Sequence, residues 1–128
     1  MRFTFCCLLT LSFVFVMGQE TPKTDTIISS KAAILIGQKV IVRAKVATTY
    51  FGPKLIGQPN YLNLDKPFPD NPMVVIIYNN DLKKLKLNLS DYKGKTIVVK
   101  GKMEEIDYEY GKKPCIKIMN KEQIAILK

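Results

Sequence analysis

Two glycine-led segments of similar sequence constrain the fold of this chain more than any other feature. They are residues 37–46 (GQKVIVRAKV) and residues 94–103 (GKTIVVKGKM). In both, apolar side chains alternate with polar or basic ones, the period of a strand with one face in a core and the other in water. The inward positions are Val40, Val42, Ala44, Val46, Ile97, Val99, Gly101 and Met103. The outward positions include Lys39, Arg43, Lys45, Lys100 and Lys102. The repeat predicts two amphipathic strands, each with a basic outer face.

Residues 1–18 are predicted to be a targeting signal that precedes the domain. Arg2 supplies a positive start, and the apolar run that follows is short for a membrane span, which needs roughly 20 residues. We expect cleavage before Gln19, with an uncleaved anchor as the alternative, and a secreted or periplasmic location. Residues 19–28, with Pro22, are predicted to form a flexible lead-in, and residues 29–128 a single domain.

Little in the sequence points to catalysis. Cys6 and Cys7 would leave with the signal, so Cys115 would remain without a disulfide partner. The chain has no histidine, which removes the usual general base and the commonest metal ligand. Phosphate-binding loops, dinucleotide fingerprints and serine nucleophile motifs are absent from the sequence. One acidic group fits a solvated hairpin better than a cation site: Glu104, Glu105, Asp107 and Glu109. We therefore predict no catalytic residue, no metal, no cofactor and no enzymatic activity.

Three further apolar segments complete a pattern of five strands. Residues 60–64 alternate, residues 73–78 are apolar throughout and should be covered on both faces, and residues 114–118 form the last long strand. A short helix is predicted at residues 29–36, before the first strand, and another at residues 82–87, between the third and fourth strands.

This order of elements resembles an OB-fold, an all-β, five-stranded Greek-key barrel. Several short motifs in the same order, QPNYLNL at 58–64, KPFP at 66–69 and YKGK at 92–95, are similar to small exported bacterial OB-fold proteins related to anticodon-binding-like OB domains. The resemblance covers roughly residues 29–127. It implies that the first and fourth strands are neighbours, and that a ligand binds over the middle strands and the loops beside them.

The charge of the chain favours an anionic partner. Twenty Lys and Arg against eleven Asp and Glu give a net charge of +9. Contact between Lys or Arg and a backbone phosphate releases bound counterions, which favours binding. Stacking of a base on an exposed aromatic ring contributes about 1–3 kcal/mol of binding free energy. The predicted ligand is single-stranded nucleic acid or another anionic oligomer. The predicted ligand-binding residues are Arg43, Lys45, Phe51, Lys54, Tyr61, Lys100, Lys102 and Tyr110.

Each of these features also has an interpretation that involves no ligand. The lysines fit the wet side of a half-exposed sheet, where they protect its edges from aggregation. The aromatic residues could close the barrel mouth (Tyr50, Phe51, Tyr61), plug its end (Phe68) or pair across the last hairpin (Tyr108, Tyr110). The alternative function is a structural or protein-interaction domain of the cell envelope that does not bind nucleic acid.

Overall fold

The computed structural model describes residues 25–108 and 111–128, nearly half of them in strands. The strands are β1 (Thr26–Ile28), β2 (Lys39–Tyr50), β3 (Pro59–Leu64), β4 (Val74–Tyr78), β5 (Thr96–Lys102), β6 (Glu104–Tyr108), β7 (Gly111–Lys117) and β8 (Ile124–Ile126). One α-helix, α1 (Asn79–Leu85), follows β4. Short 3-10 helices occupy Ser29–Leu35, Leu89–Tyr92 and Lys121–Gln123. The predicted signal segment and Tyr110 lie outside the described residues.

The two glycine-led repeats pair with each other, as predicted. They form β2 and β5, which run antiparallel along the whole of β5. Backbone hydrogen bonds close both ends of the pair: the N–H of Gly37 donates to the carbonyl of Met103 at 2.7 Å, and the N–H of Gly94 donates to the carbonyl of Val46 at 2.8 Å. The lysines and the arginine of these strands are exposed, while the alternating apolar residues are buried or half-buried. The predicted inward and outward faces are confirmed.

The sheet differs from the predicted five-stranded closed barrel in strand number and in closure. It is an open mixed sheet in the order β6-β7-β4-β3-β2-β5-β8, with β1 paired to β2. The predicted fourth strand is divided at Met103, so that the part before it pairs with β2 and the part after it with β7. Close to this point β5 and β7 meet without a ladder, through the side chain of Ile116 against Gly101.

Strand β1 lies within the segment predicted as a flexible lead-in, and for residues 26–28 that prediction is wrong. These residues pair in parallel with residues 41–43 of β2, and Ile27 packs against the main core. The next element is helical as predicted, but as a 3-10 helix. Ser29 does not cap it, because its hydroxyl donates to the carboxylate of Asp65 instead.

Apolar clusters cover both faces of β4, as its uninterrupted apolar sequence predicts. Val75 and Ile77 belong to the main core, which lies between the curved halves of the sheet. Val74 and Ile76 join Cys115 in a smaller cluster on the opposite, outer face. The partly buried residues that pack over this outer cluster are Tyr61, Tyr78 and Ile106. Side chains from β3, from β6 and from the end of β4 itself therefore cover this face of β4.

Because the thiol of Cys115 is buried, we expect the stability of the fold to fall at alkaline pH. Burial, reinforced by the charge of Glu104, raises its pKa from 9.0 to about 11. Since the folded state holds this proton more tightly, the stabilisation is complete below pH 9 and is lost as the pH rises towards about 11. We expect the free energy of unfolding, measured with urea, to fall across this interval, and to fall less steeply in Cys115→Ala. Identical pH profiles for the two proteins would contradict this assignment.

Candidate nucleic-acid interface

The structure brings four of the predicted ligand-binding residues together on the outer side of β2 and β5. Arg43, Lys45, Lys100 and Lys102 are all exposed there, and Lys39 lies directly opposite Lys102. In the part of the chain that the structure describes, the one ion pair joins Lys112 to Glu105, at 3.5 Å. No described carboxylate forms an ion pair with these cations, although the Asp65 carboxylate accepts the backbone N–H of Lys45 at 3.2 Å. We call this surface the basic face: Lys39, Arg43, Lys45, Lys100 and Lys102.

One end of the basic face is concave. Lys39, Lys100 and Lys102 line a shallow depression of about 310 Å³, together with Gln123. The Gln123 amide donates to the backbone carbonyls of Lys100, at 3.1 Å, and Lys117, at 2.9 Å, which fixes the strand beneath the lysines. Three cations around one depression suit a phosphate or a similar anion.

Further along β2 lies a groove of about 520 Å³ walled by aromatic rings, which we call the aromatic groove. The rings of Tyr50 and Tyr61 stack with centroids 5.7 Å apart and planes at 30°. Tyr108 meets Tyr61 edge-on at 5.9 Å and Phe68 edge-on at 5.4 Å. The lining residues are Thr48, Thr49, Tyr50, Tyr61, Asn63, Pro67, Phe68 and Tyr108. Four rings from separate segments thus form one continuous aromatic surface.

A register shift in β2 places this groove on the same side of the sheet as the basic face. The pairing of β2 with β3 is irregular between Val46 and Thr48, and an inserted residue of this kind reverses the alternation beyond it. Tyr50 therefore points outward, as Arg43 does, and stands across from Tyr61 on β3. At roughly 3.3 Å per residue, the groove begins within about 15 Å of the basic face along the strand.

Polar side chains underlie the rings. Asn63, which lines the groove, is only 6% exposed, and its amide donates to the hydroxyl of Thr48 at 2.9 Å. Its carbonyl oxygen accepts from the amide of Asn71 at 3.2 Å, and the Asn71 amide also donates to the carbonyl of Met73. This network joins β2, β3 and the loop before β4, and it holds the base of the groove in one arrangement.

The phenols of Tyr61 and Tyr108 remain uncharged in neutral solution. Burial raises the pKa of Tyr61 and of Tyr108, and the neighbouring phenols raise both further. Neutral phenols can stack on a base and donate hydrogen bonds without repelling a phosphate.

The loop that carries Phe68 is held in place by Lys113 of β7. Its ammonium group donates to the backbone carbonyls of Pro69, at 2.7 Å, and Asn71, at 2.6 Å. These two charge-assisted bonds cross from one strand to the loop and keep Phe68 against Tyr108.

We expect Lys113→Met to loosen this loop while leaving the fold intact, since the substitution keeps the apolar stem but removes both hydrogen bonds. Bonds of this type are worth about 1.5–3 kcal/mol, so amide hydrogen exchange in residues 65–71 should speed up roughly 10-fold or more. Lys112→Met is the matched control, because among the described residues the Lys112 ammonium group makes only the exposed pair with Glu105. Equal exchange rates in the two variants would argue against the tether.

Two of the remaining predicted ligand-binding residues, Phe51 and Lys54, do not join these two surfaces. Phe51 is 52% exposed but lies outside the groove lining, where its neighbour Tyr50 is found. Lys54 stands on the loop after β2, next to α1. Tyr110 lies outside the described residues.

Three rings of the groove, Tyr50, Phe68 and Tyr108, were not among the predicted ligand-binding residues. Phe68 was expected to plug the barrel end, but it is 41% exposed and lines the groove. Tyr108, for which the sequence suggests pairing with Tyr110 across the hairpin, contacts Tyr61 and Phe68. Alternation counted from the buried Met103 does assign Tyr108 to the outer face, which is the signal that could have found it.

The described ranges, 25–108 and 111–128, were also assessed by their side-chain chemistry for a metal site and by their helices for a membrane span. Neither range contains three or more Cys, Asp or Glu side chains grouped so that they could hold a metal ion. Among the helices of these ranges, none has the length and apolar character to cross a membrane.

Comparison with known protein families and with curated proteins gives no match. Among solved structures, five chains match. One is a crystal structure assigned as an aspartyl-tRNA synthetase from Leishmania major Friedlin, which superposes on 87% of this chain with a TM-score of 0.51 and 14% identity. The fold is OB-like. The match covers 22% of that longer chain, so this OB-like unit corresponds to about a fifth of it. This agrees with the fold that the sequence resemblance implied, whereas the bacterial origin and export that it also implied stay predictions.

Proposed function

We propose that this OB-like unit is a binding module for single-stranded nucleic acid or another anionic oligomer. The observation that carries the proposal is the placement of the basic face and the aromatic groove one after the other on the outer side of β2. An extended strand laid along β2 would meet cations for its phosphates and then rings for its bases. OB folds bind roughly 4–16 nucleotides in this manner.

In the proposed mode of binding, the two surfaces have separate roles. Lys39, Lys100 and Lys102 hold a backbone phosphate in their depression, with Arg43 and Lys45 supporting the next. Bases enter the aromatic groove and stack on its exposed rings. Phosphate binding at the basic face does not depend on the nucleotide sequence and weakens with salt. Stacking in the aromatic groove tolerates any base.

Among anionic oligomers, two considerations favour nucleic acid. The crystal structure that this chain resembles is assigned to a tRNA synthetase, an enzyme whose name includes an RNA substrate. A continuous set of four aromatic rings also suits planar bases better than it suits a sulfated or phosphorylated glycan. We further propose, from residues 1–18, that the module acts outside the cytoplasm, and that it binds its ligand without chemical conversion.

Salt dependence tests this proposal directly. We expect a fluorescent oligothymidylate to bind in an anisotropy titration, with log K falling by about 0.7 per log unit of salt for each phosphate contacted. Lys100→Gln combined with Lys102→Gln should reduce this slope by about 1.4. The control is Lys83→Gln combined with Lys84→Gln, which removes the same charge from α1, away from the basic face. No binding at low salt, or equal slope changes in both double variants, would refute the proposal.

The alternative of a protein-interaction domain predicts a broad apolar surface. The exposed aliphatic residues lie on separate segments of the chain: Leu55 and Ile56 in the loop after β2, Ile28, Ile34 and Ile36 before β2, and Met119, Ile126 and Leu127 after β7. Standard protein interfaces bury about 800 Å² on each partner, far more than the pair in the loop after β2 supplies. The nucleic-acid proposal is therefore the better supported of the two.

A further inference from the structure

The loop between β2 and β3 presents two aliphatic side chains to solvent. Leu55 is 64% exposed and Ile56 is 92% exposed, the highest value among the large apolar residues that the structure describes. Single exposed apolar residues are common on protein surfaces. Two adjacent ones at the tip of a loop are less easily explained by the fold, because neither contributes to the described core clusters.

Side-chain hydrogen bonds hold this loop in its projecting position. The Asn79 amide donates to the carbonyls of Pro53 and Leu55, both at 2.7 Å. The Asn60 amide in turn donates to the Asn79 side-chain carbonyl at 2.7 Å, and the N–H of Gly52 donates to the Asn60 side-chain carbonyl at 3.2 Å. The loop backbone is thus fastened to β3 and to the start of α1. Its tip is presented in a preorganised form, which lowers the entropy cost of binding.

Lysines surround the aliphatic tip. Lys54, Lys83 and Lys84 line a depression of about 470 Å³ together with Leu55 and Ile56. All three lysines are exposed and make no ion pair with any described carboxylate, including Asp81 in the first turn of α1. The surface therefore has two exposed aliphatic side chains beside three lysines.

We propose that this loop and the adjacent side of α1 form a binding site for the surface of an anionic lipid bilayer. Leu55 and Ile56 insert at the boundary between headgroups and acyl chains, while Lys54, Lys83 and Lys84 contact the lipid phosphates. At the surface of an anionic bilayer, negatively charged headgroups lie above an apolar layer of acyl chains. The lysines can contact the headgroups while the two aliphatic side chains reach the apolar layer. A protein partner is disfavoured, because two side chains bury too little area for a stable interface.

This inference does not depend on the proposed nucleic-acid function, nor on residues 1–18. The loop residues lie outside the basic face, and Leu55 and Ile56 are not part of the aromatic groove lining. Leu55→Ser should therefore weaken binding to vesicles but leave the affinity for an oligonucleotide unchanged. This difference separates the two proposals experimentally.

A tryptophan reporter tests the site, since the chain contains no tryptophan. In the full chain, Ile56→Trp should shift its emission to shorter wavelength when vesicles of phosphatidylcholine and phosphatidylglycerol are added, and brominated acyl chains should quench it. The matched reporter is Ile34→Trp, 75% exposed on the 3-10 helix before β2, at the opposite end of that strand. It should respond to neither, and both proteins retain residues 1–18, so binding through that segment cannot produce the difference.

Variants in the Ile56→Trp background separate the two parts of the site. Leu55→Ser should weaken vesicle binding roughly 10-fold, and Lys83→Gln and Lys84→Gln about 5-fold each. Lys112→Gln should have no effect. The proposal is overturned if the Ile56→Trp emission does not respond to anionic vesicles at low salt, or if it responds equally to pure phosphatidylcholine. A response to a protein extract but not to vesicles would overturn it in favour of a protein partner.

Discussion

Replacing Tyr50 with alanine is expected to lower the affinity for a single-stranded oligonucleotide roughly 10- to 100-fold, the loss of one base–aromatic stack. Tyr50 is 52% exposed, and one side of its ring already stacks on Tyr61. Its position at the wall of the groove makes it available to an incoming base, and few core contacts depend on it. Anisotropy titrations of the wild-type chain and Tyr50→Ala at one salt concentration measure the difference.

The adjacent residue provides the control. Phe51 is also aromatic and also 52% exposed, but it does not line the aromatic groove. We expect Phe51→Ala to change the affinity by no more than about two-fold, the range of an ordinary surface substitution. If both variants lose affinity equally, general surface aromaticity matters and the groove does not. If neither variant loses affinity, bases do not stack in the groove.

Alanine at Gly101 is expected to destabilise the fold by roughly 2–5 kcal/mol, through overpacking and backbone strain together. Gly101 has a φ of +156°, and an added Cβ would lie 2.9 Å from Cγ2 of Ile116 and 3.1 Å from the amide nitrogen of Gln123. Ile116 is fully buried, and Gln123 is held by its bonds to two backbone carbonyls, so neither can move aside freely. Urea unfolding measures the loss.

Two comparisons separate the clash from the backbone effect. Gly94→Ala places a methyl group at a φ of +74° with no atom within 4 Å, so it should show strain alone and a smaller loss. Ile116→Ala removes the opposing methyl group, and combined with Gly101→Ala it should cost about 0.5–3 kcal/mol less than the sum of the single variants. Strict additivity would show that the contact between β5 and β7 is not what makes glycine necessary.

Local periodicity was enough to predict the two amphipathic strands that became β2 and β5 and to assign their two faces, whereas their pairing with each other was implied by the OB-fold resemblance. The alternation in residues 37–46 and 94–103 reports directly which side chains are buried, because successive side chains of a strand point in opposite directions. The apolar run at β4 likewise predicted a strand covered on both faces. The division of the fourth strand at Met103 was not visible, since no local signal distinguishes a bend between two partners from a continuous strand.

The aromatic site depended on longer-range geometry. Strict alternation from Val46 would turn Tyr50 inward and Phe51 outward, and the register shift before Thr48 reverses them. This one-residue irregularity is why Tyr50 lies in the groove, whereas Phe51, which the sequence analysis favoured as a ligand-binding residue, does not. Contact of Tyr108 with Tyr61 further requires β6, β7, β4 and β3 to lie in that order.

The sequence by itself determined which residues of β2 and β5 are apolar or basic, and therefore that a cationic surface would form where these strands pair. Only the tertiary structure decided which aromatic rings meet beyond it. Burial follows from the pattern of each strand alone, whereas the groove requires side chains from three strands and a loop to converge, and that convergence is set by register and strand order.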